Sequence, residues 1–270
     1  MSSLRYNEAK VREYREAATK LHESLSAADK RMDVAIENGD KAEAERALAE
    51  ATASGEAFRE LRSKLKPTDL LVAKYNIQVH GPHEVSFVLP RGVSRYEMLC
   101  EAQELVAERD KRDLVYPDHL KIWEKKPPFT ASCDQPERIR INGHVKGGDA
   151  MTRKDQEAFL QREGLEQAQL EDLAAAFVAH WVATGEPLLG WYKKKSYSFW
   201  VRAVGGALHF RSLGLGVGGV DDGGSTSEVA VASRVRSPFA KASGDRPTFA
   251  KATADRLGSP GLDPAKRERI

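Results

Sequence analysis

The chain has 270 residues, of which 41% are hydrophobic, 30% charged and 7% aromatic, and its formal charge is +2. This length supports one large domain or two small ones with a proper core, and no apolar run is long enough to span a bilayer; the longest, residues 173–183, contains His180. Residues 236–270 hold eight Lys/Arg against four Asp/Glu, so this stretch is +4 and the rest of the chain −2, which excludes a domain-wide basic footprint for nucleic acid.

The chain begins as a charged helix from Leu4 onward rather than as a leader peptide. Apolar or small positions Tyr14, Ala18, Leu21, Leu25, Ala28, Met32 and Ala35 step by alternating fours and threes, and so do Ala44, Ala47, Ala51, Ser54, Phe58, Leu61 and Leu65. If the chain reverses at Asn38-Gly39, Ala35 meets Ala44, Met32 meets Ala47, Ala28 meets Ala51 and Leu25 meets Ser54. Leu21 then meets Phe58, Ala18 meets Leu61 and Tyr14 meets Leu65, and every pair of numbers sums to 79. An antiparallel two-helix coiled coil requires this, because each a layer faces a d layer of the returning helix. Gly39 ends the first helix, Asp40 with Glu43 forms a capping box for the second, and Pro67 stops it. The paired portion is about 35–45 Å long at 1.5 Å per residue. Val34, Ile36 and Leu48 fall off the seam near the tip and leave apolar surface there.

Residues 68–235 read as a globular α+β domain. Residues 75–80 and 85–89 form a hairpin about Gly81-Pro82, and Ser94 with Glu97 caps a helix running to about 109. Asn142-Gly143 between 138–141 and 144–146 signals a type I′ hairpin. Thr152 with Asp155 opens a helix that Gly164 ends, and a second, strongly apolar helix spans 170–184 before Gly185. Residues 197–204 and 207–212 form a hairpin about Gly205-Gly206, and 228–235 adds a strand.

The last stretch, 236–270, repeats itself: residues 239–246 recur as 249–256, a period of ten broken up by Pro238, Pro247, Pro260 and Pro264. It resembles the translated genomic repeats found at the ends of reading frames in some uncultivated bacterial lineages. That resemblance covers about twenty residues and implies a disordered basic passenger tail. The expected division is therefore a coiled-coil arm at 1–66, a globular domain at 68–235 and the tail at 236–270.

Candidate sites are sparse. Gly214-Leu215-Gly216-Val217-Gly218-Gly219 matches the dinucleotide pattern, but Asp221 and Asp222 follow where a helix N-terminus and a phosphate belong, so it reads as a glycine-rich strand end or turn. His80, His83 and Glu84 place two imidazoles and a carboxylate on one turn, a partial metal set; a zinc site needs three or four ligands, and the favoured reading is a surface turn. Asp118-His119 and Cys133-Asp134 are acid, base or nucleophile candidates without a diagnostic signature, and His180 on an apolar helix reads as a hydrogen-bonded core residue. Cys100 and Cys133 lack paired spacing and read as free thiols in a reducing cytosol. A two-residue turn at Gly205-Gly206 pairs Arg202 with His209 and Trp200 with Arg211. These four share the outward face behind Lys193, Lys194 and Lys195, an aromatic-plus-cation combination suited to single-stranded bases; because the body is net acidic, the favoured reading is that a helix covers Trp200 and that Arg202 and Arg211 are solvated neighbours. Phe199, Val201, Ala203, Leu208 and Phe210 take the core face.

The reading with most support is a cytoplasmic, non-enzymatic interaction protein without a cofactor. Its arm, through Val34, Ile36 and Leu48, docks a protein partner or a second copy. The first alternative is a nucleic-acid-binding module using the Trp200 face, and the second is an enzyme with a site near His80, His83 and Glu84.

Overall fold

A computed structural model of the chain describes residues 4–148, 151–188, 200–211, 214–218 and 229–234. The chain divides into two units, Met1–Arg236 and Ser237–Ile270. The expected tail, with its repeat, lies outside the described residues, whereas the arm and the globular body belong to one unit.

Two long helices, α1 (Glu8–Glu37) and α2 (Lys41–Ser63), form the antiparallel arm. Asn7 accepts the Lys10 amide at 3.0 Å to start α1, and Asp40 accepts the Glu43 amide at 3.0 Å to start α2. Gly39, at φ +73°, makes the reversal. Glu43 does not complete the expected capping box; its carboxylate pairs instead with Arg46 at 3.0 Å and Arg31 at 3.7 Å. Every expected seam position except Phe58 is at least partly buried, and Ala28, Ala35 and Ala47 are buried outright. The Ser24 and Ser54 hydroxyls meet at 3.2 Å, which holds the register within one residue of the expected sum. At the root the seam changes. Tyr14 packs against Phe58, with ring centroids 6.1 Å apart, one heptad from its expected partner Leu65; α2 ends at Ser63, and Leu65 already belongs to the turn into the body.

One buried carboxylate fixes that root. Asp69, in the first turn of α3 (Pro67–Lys74), accepts the Asn7 amide at 3.0 Å and the Lys66 amide at 3.3 Å, so the outgoing and returning chains share one acceptor. Val11 enters the body's core, and Arg5 donates its amide to Ala183 at 2.7 Å and its guanidinium to Asp110 at 3.1 Å.

The body is α+β, as expected. β1 (Gln78–Gly81) and β2 (Glu84–Leu89) form the first hairpin; Tyr75 caps α3 rather than opening a strand. α4 (Arg95–Asp110) carries the Ser94/Glu97 capping box. Two short proline-started helices, α5 (Pro117–Trp123) and α6 (Pro127–Thr130), stack Trp123 on Phe129 with centroids 4.7 Å apart. β3 (Glu137–Asn142) pairs with β2 along its whole length.

The Asn142-Gly143 hairpin does not form. The Asn142 side chain accepts the His144 amide at 3.0 Å and Gly143 donates to the His83 carbonyl at 2.7 Å, so the dipeptide closes a side-chain turn against the β1–β2 loop. α7 (Arg153–Arg162) begins at Thr152 as its composition indicates, followed by the short β4 (Glu166–Gln167) and by α8 (Leu170–Thr184). In α8 every residue but Glu171 is buried. Its run of alanines lets neighbours approach closely on all sides, and Gly185, at φ +77°, ends it.

The remaining strands are β5 (Trp200–Ala203), β6 (Gly206–Arg211), β7 (Gly214–Gly218), β8 (Val229–Val231) and β9 (Ser233–Arg234). One sheet runs β1-β2-β3-β9-β4 and the other β7-β6-β5-β8. The stretch 229–234 joins them, since β8 runs parallel to β5 and β9 pairs with both β3 and β4. The β5–β6 turn sits one residue earlier than expected: Arg202 faces Ala207 and Trp200 faces His209. Val204 is drawn away from the hairpin, donating to Ala168 at 2.8 Å and accepting from Leu170 at 3.1 Å. The shift moves partners by two positions, so it leaves the two faces of the hairpin unchanged.

Candidate interaction surface on the helical arm

The heptad that builds the arm also sorts its outer residues. With Ala28 and Ala35 at d, the e positions are Arg15, His22, Asp29 and Ile36 on α1 and Lys41, Leu48, Gly55 and Arg62 on α2. The g positions include Ser24 and Arg31 on α1 and Glu43, Glu50 and Lys64 on α2. Reversal of the second helix puts e beside e on one flank and g beside g on the other. The structure bears this out on the g flank, where Arg31 pairs with both Glu43 and Glu50, and Arg46 pairs with Glu43. A shallow groove there is lined by Arg31, Val34, Asn38, Asp40 and Glu43.

The e flank is different. Ile36 is 63% exposed and Leu48 55% exposed, and neither flanks an ion pair. Ile36 leans back from the tip and Leu48 leans toward it, because side chains tilt to the N-terminus of their own helix. The two therefore converge. Val34, also 55% exposed, belongs to the opposite flank with the ion pairs. The three residues singled out in the sequence are not one patch. Ile36 and Leu48 share one flank, and Val34 lies on the other. The flanks are legible from the heptad itself once e and g are read as well as a and d.

Below this pair lies Gly55, where an added Cβ would meet nothing within 4 Å. At the root, Arg15 and Arg62 have no carboxylate partner among the described residues. Burial, and then the like charge of Arg138 on β3, lower the pKa of the Arg15 guanidinium.

The other candidates do not assemble. Nε2 of His80 is 2.8 Å from the Ser86 hydroxyl, Glu84 accepts from Arg140 at 2.7 Å, and Nδ1 of His83 donates to the Leu188 carbonyl at 2.9 Å. The three side chains thus face three ways, and no group of three or more ligand residues that could hold a metal ion occurs among the described residues. Burial lowers the His80 pKa, helped by Arg140.

Arg202 is 4% exposed and donates to Gln156 of α7 at 2.5 Å, so the face expected outward is covered by that helix at this position. Val201, Ala203 and Leu208 are buried as expected. Lys193, Lys194, Lys195 and Phe199 lie outside the described residues, as do the side chains of Trp200, His209, Phe210 and Arg211. Gly214–Gly218, five of the six residues of the glycine pattern, form strand β7 paired along β6, where a dinucleotide site needs a turn; Gly219, Asp221 and Asp222 lie outside the described residues.

Cys100 and Cys133 are free, and burial raises both thiols, which leaves neither an activated nucleophile. His119 packs between Tyr116 and Trp123, and Asp118 turns to Lys121, so they form no acid–base pair. His180 is 1% exposed; Nδ1 donates to the Glu186 carbonyl at 2.9 Å, and Nε2 faces the Gly81 carbonyl without hydrogen-bonding geometry. Burial lowers its pKa, and the nearby His83 adds to that.

Sequence reasoning missed one polar centre. Arg95 donates to Asp172 at 2.6 Å and Glu137 at 2.9 Å, and Arg234 reaches Glu137 at 2.9 Å and Asp172 at 3.6 Å. Desolvation pushes the Glu137 carboxyl up, but Arg95 and Arg234 outweigh it and hold the pKa below the usual range. This quartet joins α4, α8, β3 and β9. Both carboxylates are occupied by arginines, so its role is to hold the elements together. Its members are 77 and 97 residues apart in the chain, and no local pattern announces them.

Comparisons with protein families, with characterised proteins and with solved structures return no match. No described helix is long and apolar enough to cross a membrane.

Proposed function

We propose that this chain is a non-enzymatic interaction protein whose helical arm docks a protein partner through the flank carrying Ile36 and Leu48. The observation that supports this most directly is the asymmetry of the arm: one flank carries the ion pairs of Arg31, Glu43, Glu50 and Arg46 beside a single exposed aliphatic residue, Val34, while the other leaves Ile36 and Leu48 more than half exposed with no ion pair beside them. A two-helix hairpin gains nothing for its own stability by exposing them. The cytoplasm is the proposed compartment, supported by two unpaired cysteines. The nucleic-acid alternative loses support at Arg202, which is spent on Gln156.

A photo-cross-linking residue at Lys41, on the same flank, tests the reading in the full chain. Adducts with another protein or with a second copy are expected, and Ile36→Asp/Leu48→Asp should abolish them. A chain that forms no adduct, or whose adducts ignore that double substitution, overturns the proposal.

A further inference from the structure

We infer that the arm's partner is a second copy of this chain, the two arms lying antiparallel, e flank to e flank, as a four-helix bundle about a twofold axis. This rests on the reading of the arm above and narrows it to one occupant.

The first support is shape. Leu48 and Gly55 are successive e positions on α2, about 10.5 Å apart along the helix. Leu48 stands out from the flank, and Gly55 leaves open space beside it. A twofold axis midway between them seats each Leu48 in the notch over Gly55 of the other copy. The same register brings Ile36 beside Phe58 of the other copy, the one seam residue left exposed. The flank's exposed apolar side chains thus find each other in one alignment.

The second support is charge. That alignment sets Asp33 opposite His22 and lays the tip, with Asp33 and Glu37, over a root where Arg15 and Arg62 have no acid partner among the described residues. Lys41 is the exception, because it approaches Arg62. Two exposed cations cost little, but they make the register testable.

The third support is length. With the axis midway between Leu48 and Gly55, the turn at Asn38-Gly39 reaches the level of about residue 16 of the other arm. α1 meets the body's core at Val11 and Tyr14, on the root side of that level. The overlap therefore uses the free length of the arm without driving the tip into the body. Each copy offers its knob and its notch once, so the contact closes as a dimer and does not propagate.

Sedimentation of the full chain over a range of concentration and salt tests this. A reversible dimer is expected, weakened by salt because tip and root attract. Ile36→Asp/Leu48→Asp should weaken it about tenfold or more. Gly55→Leu should do the same by filling the notch, while circular dichroism shows the arm still helical, since the added side chain meets open space in the single chain. Lys41→Glu should tighten the dimer severalfold by turning the one repulsive contact into an attraction. A chain that is monomeric throughout, or a dimer indifferent to Gly55→Leu and Lys41→Glu, overturns the inference. If that monomer still cross-links another protein in a manner sensitive to Ile36→Asp/Leu48→Asp, the arm remains a docking element and only the identity of its partner is wrong. If it cross-links nothing, both readings fall.

Discussion

The arm and the body bury different things. Along the paired seam the fully buried side chains are Ala28, Ala35 and Ala47. The body buries Trp123 against Phe129, Phe177 beside Trp181, and Phe87, Met98, Leu99 and Ile139 at full depth. Alanine contributes helix propensity but little apolar area, so the arm stands mainly on local backbone preference and close approach. The body stands on burial and on strands paired across long stretches of sequence. An element of the first kind projects easily and has stability to gain from a partner; one of the second kind is a foundation.

The largest effects are accordingly expected in the body. Phe177→Ala removes a fully buried ring from α8 and should cost about 3–5 kcal/mol in denaturant unfolding. Ala47→Gly in the arm, equally buried, should cost only about 1 kcal/mol, chiefly through propensity. Comparable losses at the two sites would show that the arm's seam carries more than local preference.

Asp172→Ala should come close behind. It is 1% exposed and faces both Arg95 and Arg234, so its removal leaves two arginines competing for Glu137. A loss of about 3 kcal/mol is expected. Hydrogen exchange should localise it to α4, α8 and β3, with the amides of the arm tip unmoved.

This contrast also explains what the sequence disclosed. The arm was legible almost residue by residue, because its contacts repeat every seven residues and its caps are local. It departed where Leu65 left the helix and where Glu43 turned to Arg31 and Arg46 instead of closing the capping box. In the body, the helices opened by Ser94 and Thr152 and ended by Gly185 were legible for the same reason: a cap is a local event. What was not legible depended on distant partners. Asn142-Gly143 satisfied itself against the His83 loop and made no hairpin. Val204 was captured by Ala168 and Leu170, which moved a turn. Arg202 looked solvated until Gln156, forty-six residues away, covered it. The candidate surface stands in between: Ile36, Leu48 and Val34 are exposed as expected, but the heptad places Val34 across the arm from the other two.

Acid should separate the two regions as well. His80, His119 and His180 all lie in the body, and burial lowers the pKa of each. A histidine whose folded pKa is below its unfolded value binds its proton more readily when unfolded. The stability it confers is complete above the ordinary value of about 6.5 and is lost as pH falls from there toward the folded pKa. Each such group contributes a slope of at most about 1.4 kcal/mol per pH unit. Unfolding measured from pH 7.5 to 5 should therefore show the body weakening, and His180→Gln should flatten the slope. An unchanged slope in that variant would remove His180 from the explanation.

In the arm the effects are smaller and local. Asp40→Ala removes the carboxylate that accepts the Glu43 amide and should cost about 1 kcal/mol, read as faster exchange of the first-turn amides of α2. The body's amides should not respond.

The smallest change sharpens the comparison most. Gly55 lies inside α2, where glycine is the poorest helix former after proline, and nothing packs on it. Gly55→Ala should therefore stabilise α2 by about 0.5–1 kcal/mol, because the unfolded chain loses freedom and the folded chain meets no obstacle. If the arm opens independently, the slowing of exchange will be confined to α1 and α2. If the shared acceptor Asp69 couples the arm to the core, amides of α3 and α8 will slow by a similar factor. The second pattern would mean that an event at the tip is felt at the root. The arm would then transmit a change at its tip to the body.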